Sequence, residues 1–254
     1  MKKRKAGIVI FVIVLIITAV RIKSMDSHRI SGRILAENIA GPGMLRLVEQ
    51  SMQARARKTS VTEIAVKEWK HPQAALTFDD GPDIRYTPLL LDGLKERNVR
   101  VSFFLLGEKV EQYPELVERM QKEGHLVGNH TYHHVQLNKL NETKAREEIL
   151  KTNNLIYETT GVYPLYLRPP FGAWKKNLEL CVEMLPVFWT IDTLDWKVKN
   201  TEKIVRTVKE QIEDGAIILM HDEYDTSVEA ALQVVDELKN QGYELVTVDQ
   251  LILP

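Results

Sequence analysis

The stretch Ala74-Ala75-Leu76-Thr77-Phe78-Asp79-Asp80-Gly81-Pro82 decides how this chain is read. Ala74 to Phe78 is short and almost wholly apolar, as a strand buried on both faces requires. It stops at two adjacent carboxylates and a Gly-Pro turn, so the chain leaves the sheet carrying charge. Outward from it the same pattern recurs. Val99 to Leu106, Leu126 to Asn129, Leu165 to Arg168, Val187 to Ile191, Ala216 to Met220 and Glu244 to Val248 read as strands. Between them, Val205, Val208 and Ile212, and then Val228, Ala231, Leu232, Val235 and Leu238, fall at helical spacing and read as core-facing stripes. Buried strands joined through helices imply a parallel sheet. Seven such units suit an α/β fold, a small distorted (β/α) barrel of about seven parallel strands, better than a flat sheet.

The 254 residues are 44% hydrophobic and 27% charged, enough apolar content for one full core plus an appendage. A disordered or collagen-like chain is excluded. A formal net charge of -1 offers no attraction to nucleic acid, which is therefore not expected as a partner. Cys181 is the only cysteine, which rules out an intrachain disulfide and a cysteine-based zinc site. Its setting, between Leu180 and Val182, is that of a small buried hydrophobe.

At the N-terminus, Lys2, Lys3, Arg4 and Lys5 precede an apolar run from Ala6 to Val20. The run has 15 residues, against roughly 17 to 25 for a spanning helix, and so overlaps the core of a signal peptide. No small-residue cleavage pattern follows it; Arg21 and Lys23 come instead. Residues 1–23 are accordingly read as an uncleaved single-pass signal anchor, with Arg21 snorkelling and the catalytic part outside the cell membrane. Secretion after cleavage is the alternative. Residues 24–70, basic on balance and broken at Gly41-Pro42-Gly43, read as a stalk, and 71–254 as the catalytic domain. A partial stripe of Leu45, Leu47, Val48 and Met52, and a basic knot of Arg55, Arg57 and Lys58, fall within that stalk.

Residues capable of catalysis gather where the strands end, which is where barrel proteins keep their sites. Asp79 and Asp80 diverge as neighbours, so one can bind a cation while the other stays free as a base. Alone, that pair reads equally as an Asp-Gly turn. His130 and His134 are four apart, a spacing that on one helical turn puts two imidazoles on one face, with His133 pointing elsewhere. Asp80, His130 and His134 together make a three-ligand set with a fourth position open to water. Arg168-Pro169-Pro170-Phe171-Gly172 is a stiff turn that can hold a guanidinium and present backbone N–H groups. Asp192 to Trp196 and Leu219-Met220-His221-Asp222 close two further strands, the second adding a separate histidine. Singly, His221 and Trp196 are ordinary core residues; their company gives them meaning.

In this order the motifs resemble those of the NodB-like polysaccharide deacetylases, the fourth family of carbohydrate esterases, over residues from about 71 to 254. Thr77 to Pro82 matches the first motif, His130 to His134 the His-Ser/Thr-x-x-His motif, and Arg168 to Gly172 the Arg-Pro-Pro-aromatic-Gly motif. Asp192 to Trp196 and Leu219 to His221 match the last two. Phe171 stands where many members carry tyrosine, but the role implied there belongs to the backbone. The resemblance implies Asp80, His130 and His134 as ligands of a divalent metal, zinc first and cobalt as the alternative. It implies Asp79 as the base toward a metal-bound water, His221 as the acid, Asp195 as the partner that charges His221, and Arg168 as the group that orients Asp79 and keeps it ionised. Phe171 would donate its N–H to the oxyanion, and Trp196 and Leu219 would line the acetyl slot. The implied reaction is removal of N-acetyl groups from N-acetylglucosamine of peptidoglycan or chitin-like oligomers. Alternatives are an O-acetyl esterase acting on xylan or another acetylated glycan, and a catalytically silent wall-binding module.

Overall fold

The computed structural model describes residues 71–174 and 184–252. The chain divides into two units, Met1–Val66 and Lys67–Pro254, and every described residue lies in the second. The expected anchor, the stalk and Cys181 lie outside the described residues. Among those described, no helix is long and apolar enough to cross a membrane.

In chain order the elements are β1 (Gln73–Asp79), α1 (Tyr86–Glu96), β2 (Ser102–Leu105), α2 (Gly107–Gln112), α3 (Pro114–Lys122) and β3 (Leu126–Asn129). There follow α4 (Glu142–Thr160), β4 (Tyr166–Leu167), β5 (Leu185–Pro186), β6 (Ile191–Asp192), α5 (Asp195–Val198) and α6 (Thr201–Gln211). Last come β7 (Ala216–His221), α7 (Asp225–Asn240), β8 (Glu244–Leu245) and α8 (Val248–Ile252). The strands run β5-β4-β3-β2-β1-β7-β6, with β8 added beside the start of β1, and all the ladders are parallel. This is a distorted, open (β/α) barrel.

β1 is an interior strand of this sheet. Every residue of β1 is buried, because β1 pairs with β2, β7 and β8 and helices cover it. Phe78 stacks on Phe103 of β2 at 5.5 Å between ring centroids, a contact worth about 0.5–1.5 kcal/mol beyond simple burial. Leu90, Leu91 and Leu94 of α1 and Val228, Ala231, Val235 and Leu238 of α7 press into the same core. The α6 stripe is borne out: Val208 is buried in this core, and Val205 and Ile212, the latter capping the helix, pack against it. Asn141 starts α4 by accepting the Lys144 N–H, a cap worth about 1 kcal/mol, and Gly161 ends it at φ 71°, a left-handed turn that glycine adopts without penalty.

The expected strand from Val187 to Ile191 is corrected. Leu185 and Pro186 pair with β4 as β5, and Ile191 and Asp192 pair with β7 as β6. The segment between them bridges two edges of the sheet: the Val187 N–H reaches the Leu167 carbonyl at 2.8 Å, and the Thr190 N–H reaches that of Ile217 at 2.9 Å. A single run of chain therefore links the two edge strands, which no ladder joins among the described residues. The last strand is also shorter than expected, since Val248 opens α8 instead of ending β8.

Candidate active site

Parallel strands in one register deliver the acidic and basic groups to one rim. Asp79 ends β1 directly opposite His221 at the end of β7. On the other side, the His130 N–H bonds to the Leu105 carbonyl and the Arg168 N–H to that of Asn129, so both side chains emerge just past their strands.

Asp80 follows β1 in the left-handed region, at φ 68°, which turns its carboxylate away from that of Asp79. Gly81 is small for a reason: a Cβ there would lie 2.6 Å from Asp222 Oδ1. Asp222 is buried and accepts a hydrogen bond from the Thr87 hydroxyl, which in turn accepts the Asp83 N–H at 2.7 Å, so the turn after β1 is held from beneath. Burial raises the Asp222 carboxyl to about 7, against the opposing Thr87 hydrogen bond and Lys109 charge.

One ligand atom each from Asp80, His130 and His134 lies within 4.8 Å of the others. Asp80 Oδ1 is 3.4 Å from both His130 Nε2 and His134 Nε2, is buried, and receives no hydrogen bond. The His130 Nδ1 is 2.6 Å from the Arg168 carbonyl, so it carries the hydrogen and leaves Nε2 as a free lone pair. Burial lowers this imidazole to about 3, despite the Asp80 charge, and keeps it neutral. An orphaned carboxylate oxygen facing imidazole nitrogens of this kind is what a divalent cation satisfies, and the residues fit one.

The histidine spacing works by a different geometry from the expected helical turn. Residues 130–134 are non-helical, with Thr131 at φ 66° and His134 at φ 55°. The loop doubles back and brings the rings to 5.0 Å between centroids. His133 points elsewhere, as expected, onto Glu148.

Asp79 is almost wholly buried, with its Oδ2 3.7 Å from His130 Nε2. Arg168, fully buried, donates Nη1 to Asp79 Oδ1 at 2.8 Å and to the Thr77 hydroxyl at 2.6 Å, and its guanidinium lies 4.2 Å over the Phe104 ring. Burial raises the Asp79 carboxyl above its ordinary value; the charges of Arg168 and His221 oppose this without reversing it. Arg168 is thus hydrogen-bonded to Asp79, but burial outweighs its acidifying effect.

Across the rim, Asp195 takes both the Nδ1–H and the backbone N–H of His221, at 2.8 Å each. Burial would lower the His221 imidazole, yet the Asp195 hydrogen bond and charge, with Asp79 and Asp80 behind, raise it to about 9. His221 Nε2 is left facing the site, 3.9 Å from Asp80 Oδ2. Asp195 itself is held below the ordinary carboxylate value despite burial, chiefly by its hydrogen bond to His221.

The Pro170–Gly172 turn places Phe171 at φ 59°, the residue 62% exposed and its ring centroid 4.5 Å from that of His134. Trp196 is 49% exposed on α5, and Leu219 is buried on β7. Sequence reasoning left three groups without a role: Thr77, which holds Arg168; Asp222, which braces Gly81; and Glu148, which holds the histidine loop. Thr77 and Asp222 sit inside the quoted motifs, whereas Glu148 sits in a helix with nothing local to mark it.

These features define a distorted (β/α)-barrel protein with a two-histidine, one-carboxylate donor set at its strand ends. The family model for polysaccharide deacetylase matches residues 67–187. The chain is 40% identical over 205 residues to the peptidoglycan-N-acetylglucosamine deacetylase PgdA of Listeria monocytogenes, covering 80% of this chain but only 44% of that protein. It is 40% identical to a peptidoglycan-N-acetylglucosamine deacetylase of Bacillus cereus, covering 70% of this chain and 68% of that one. The peptidoglycan-N-acetylmuramic acid deacetylase PdaC of Bacillus subtilis is 43% identical over 177 residues, 70% of this chain and 38% of that protein. The solved PdaC structure superposes at a TM-score of 0.70 and 42% identity, covering 72% of this chain and 91% of the solved one. The chain belongs to the polysaccharide deacetylase family.

Proposed function

We propose that this protein is a divalent-metal hydrolase that removes N-acetyl groups from N-acetylglucosamine residues of a cell-surface polysaccharide, peptidoglycan first. The observation that carries the reading is the convergence of Asp80, His130 and His134 beside a base and an acid held at one register on adjacent strands. The names of the Listeria and Bacillus relatives support peptidoglycan as the polymer.

Asp80, His130 and His134 would hold the cation. When bound, such an ion acidifies water and polarises a carbonyl. Asp79, made more basic by burial and fixed by Arg168, takes the proton from the attacking water. The Phe171 N–H donates to the oxyanion that forms at the acetyl carbonyl, and stabilisation of this kind is worth about 3 kcal/mol for one donor. His221, protonated at neutral pH and backed by Asp195, gives its Nε2 proton to the departing sugar nitrogen. The C–N bond breaks, and acetate and a free amine are the products. Leu219 and Trp196 line the acetyl slot.

The test is acetate release by the purified full chain from peptidoglycan, chitooligomers and acetylxylan in parallel. Release from the first two, with little from acetylxylan, is expected. Preference for acetylxylan would make it an O-acetyl esterase, and silence on all three would make it a binding module. We further infer, from the tetrabasic start and the apolar run from Ala6 to Val20, that residues 1–23 anchor the chain with its catalytic domain outside the cell. The full chain should then stay with membranes after an alkaline carbonate wash; recovery in the soluble fraction would refute the anchor.

A further inference from the structure

We propose that Glu148 is the positioning residue for the metal-ligating loop: its carboxylate fixes the backbone that aims His130 and His134 at Asp80. This rests on the reading of those three residues as a cation site. The loop needs holding. Residues 130–134 belong to no helix or strand, and two of the five, Thr131 and His134, stand in the left-handed region, which is sparsely populated for any non-glycine residue and an outlier for β-branched Thr131.

Glu148, mostly buried on α4, supplies the hold. Its Oε2 accepts the consecutive N–H groups of Tyr132 and His133 at 3.0 Å and 2.9 Å, and its Oε1 takes the His133 Nδ1–H at 2.8 Å. One carboxylate thus serves three donors, two of them backbone groups midway between the two ligands. The grip on the His133 ring also turns the third histidine of the run outward, away from Asp80. One turn along the helix, Asn153 accepts from the Asn129 amide at 2.7 Å, while Asn129 Oδ1 takes the Thr131 N–H at 2.7 Å. The same helix therefore grips the loop at its entry and again at its middle. Partners behind a ligand that fix its orientation are typically worth a factor of 10 to 100 in metal affinity.

Zinc affinity of the metal-stripped full chain in detergent, measured by competition with a chromophoric chelator, tests this without recourse to activity. Glu148→Ala is expected to weaken zinc binding roughly 10- to 100-fold, and Glu148→Asp, with its shorter reach, by an intermediate factor. Glu148→Gln keeps an oxygen for both backbone N–H groups and is expected to stay within about threefold of the parent. Asn141→Ala, which weakens the same helix at its cap without touching the loop, should leave zinc affinity unchanged. Parent-like binding by the Ala and Asp variants would overturn the role of Glu148 while leaving the cation site intact. An equal loss in Asn141→Ala would also overturn it, by reducing Glu148 to helix stability. Failure of the unsubstituted chain to bind zinc would instead remove the cation site, and this proposal with it.

Discussion

Asp79 and Asp80 are chemically identical neighbours that the fold sends to different work. The difference is made by backbone and burial: Asp80 turns out at φ 68° toward the two imidazoles, while Asp79 stays in the strand under the Arg168 guanidinium. Asp79→Asn should therefore lower kcat by roughly 10²- to 10⁴-fold, the range for loss of a general base, while zinc affinity holds within a small factor. Acetate-release kinetics beside a zinc titration would check it, and a kcat near that of the parent would remove the base assignment. At this scale the sequence was highly legible. Adjacent carboxylates, two histidines four apart and an arginine before two prolines are local patterns, and the folded chain brings all of them together. The geometry behind the histidines was not legible, because spacing of four reads as one helical turn and nothing local announces left-handed residues. Glu148 was hidden for a related reason: its partners lie 15 and 16 residues away and it carries no motif of its own.

Single elements show the same limit. β3 begins beside His125, which is buried, lies edge-on to Phe103 at 5.4 Å, and accepts the Val101 N–H through Nδ1 at 3.1 Å. Burial lowers this imidazole from 6.5 to about 4, with Glu123 opposing and Arg100 and Arg119 assisting. Below pH 6.5 the unfolded chain takes up a proton here that the folded chain refuses, so stability falls as pH drops from 6.5 toward 4. The loss from this group is about 3 kcal/mol. His125→Asn keeps an acceptor but does not titrate, so denaturant unfolding of this variant should show a shallower decline over that range. An unchanged decline would assign the acid sensitivity elsewhere. The helices α6 and α7 could be read from periodicity because each buries a regular face, and β1, β3 and β7 from short apolar runs that are buried almost throughout. β5 and β6 could not, since the run from Leu185 to Asp192 is uniformly apolar up to its last residues, and composition does not say which edge each end will join.

For the molecule as a whole, the barrel gathers residues from 79 to 221 in sequence onto one rim, and the family resemblance follows that rim motif by motif. The described residues all lie in the unit from Lys67 onward, while the curated Listeria relative is more than twice as long as the stretch it shares with this chain. On the proposed reading, what the rim does would depend on one cation held by Asp80, His130 and His134. The most direct measurement is a zinc titration of chelator-stripped protein, followed by acetate release from N-acetylglucosamine oligomers. Release should be absent without metal, rise in proportion to added zinc and level off at one ion per chain. Undiminished release from the stripped protein, or no release at any zinc level while oligomers bind, would contradict the account.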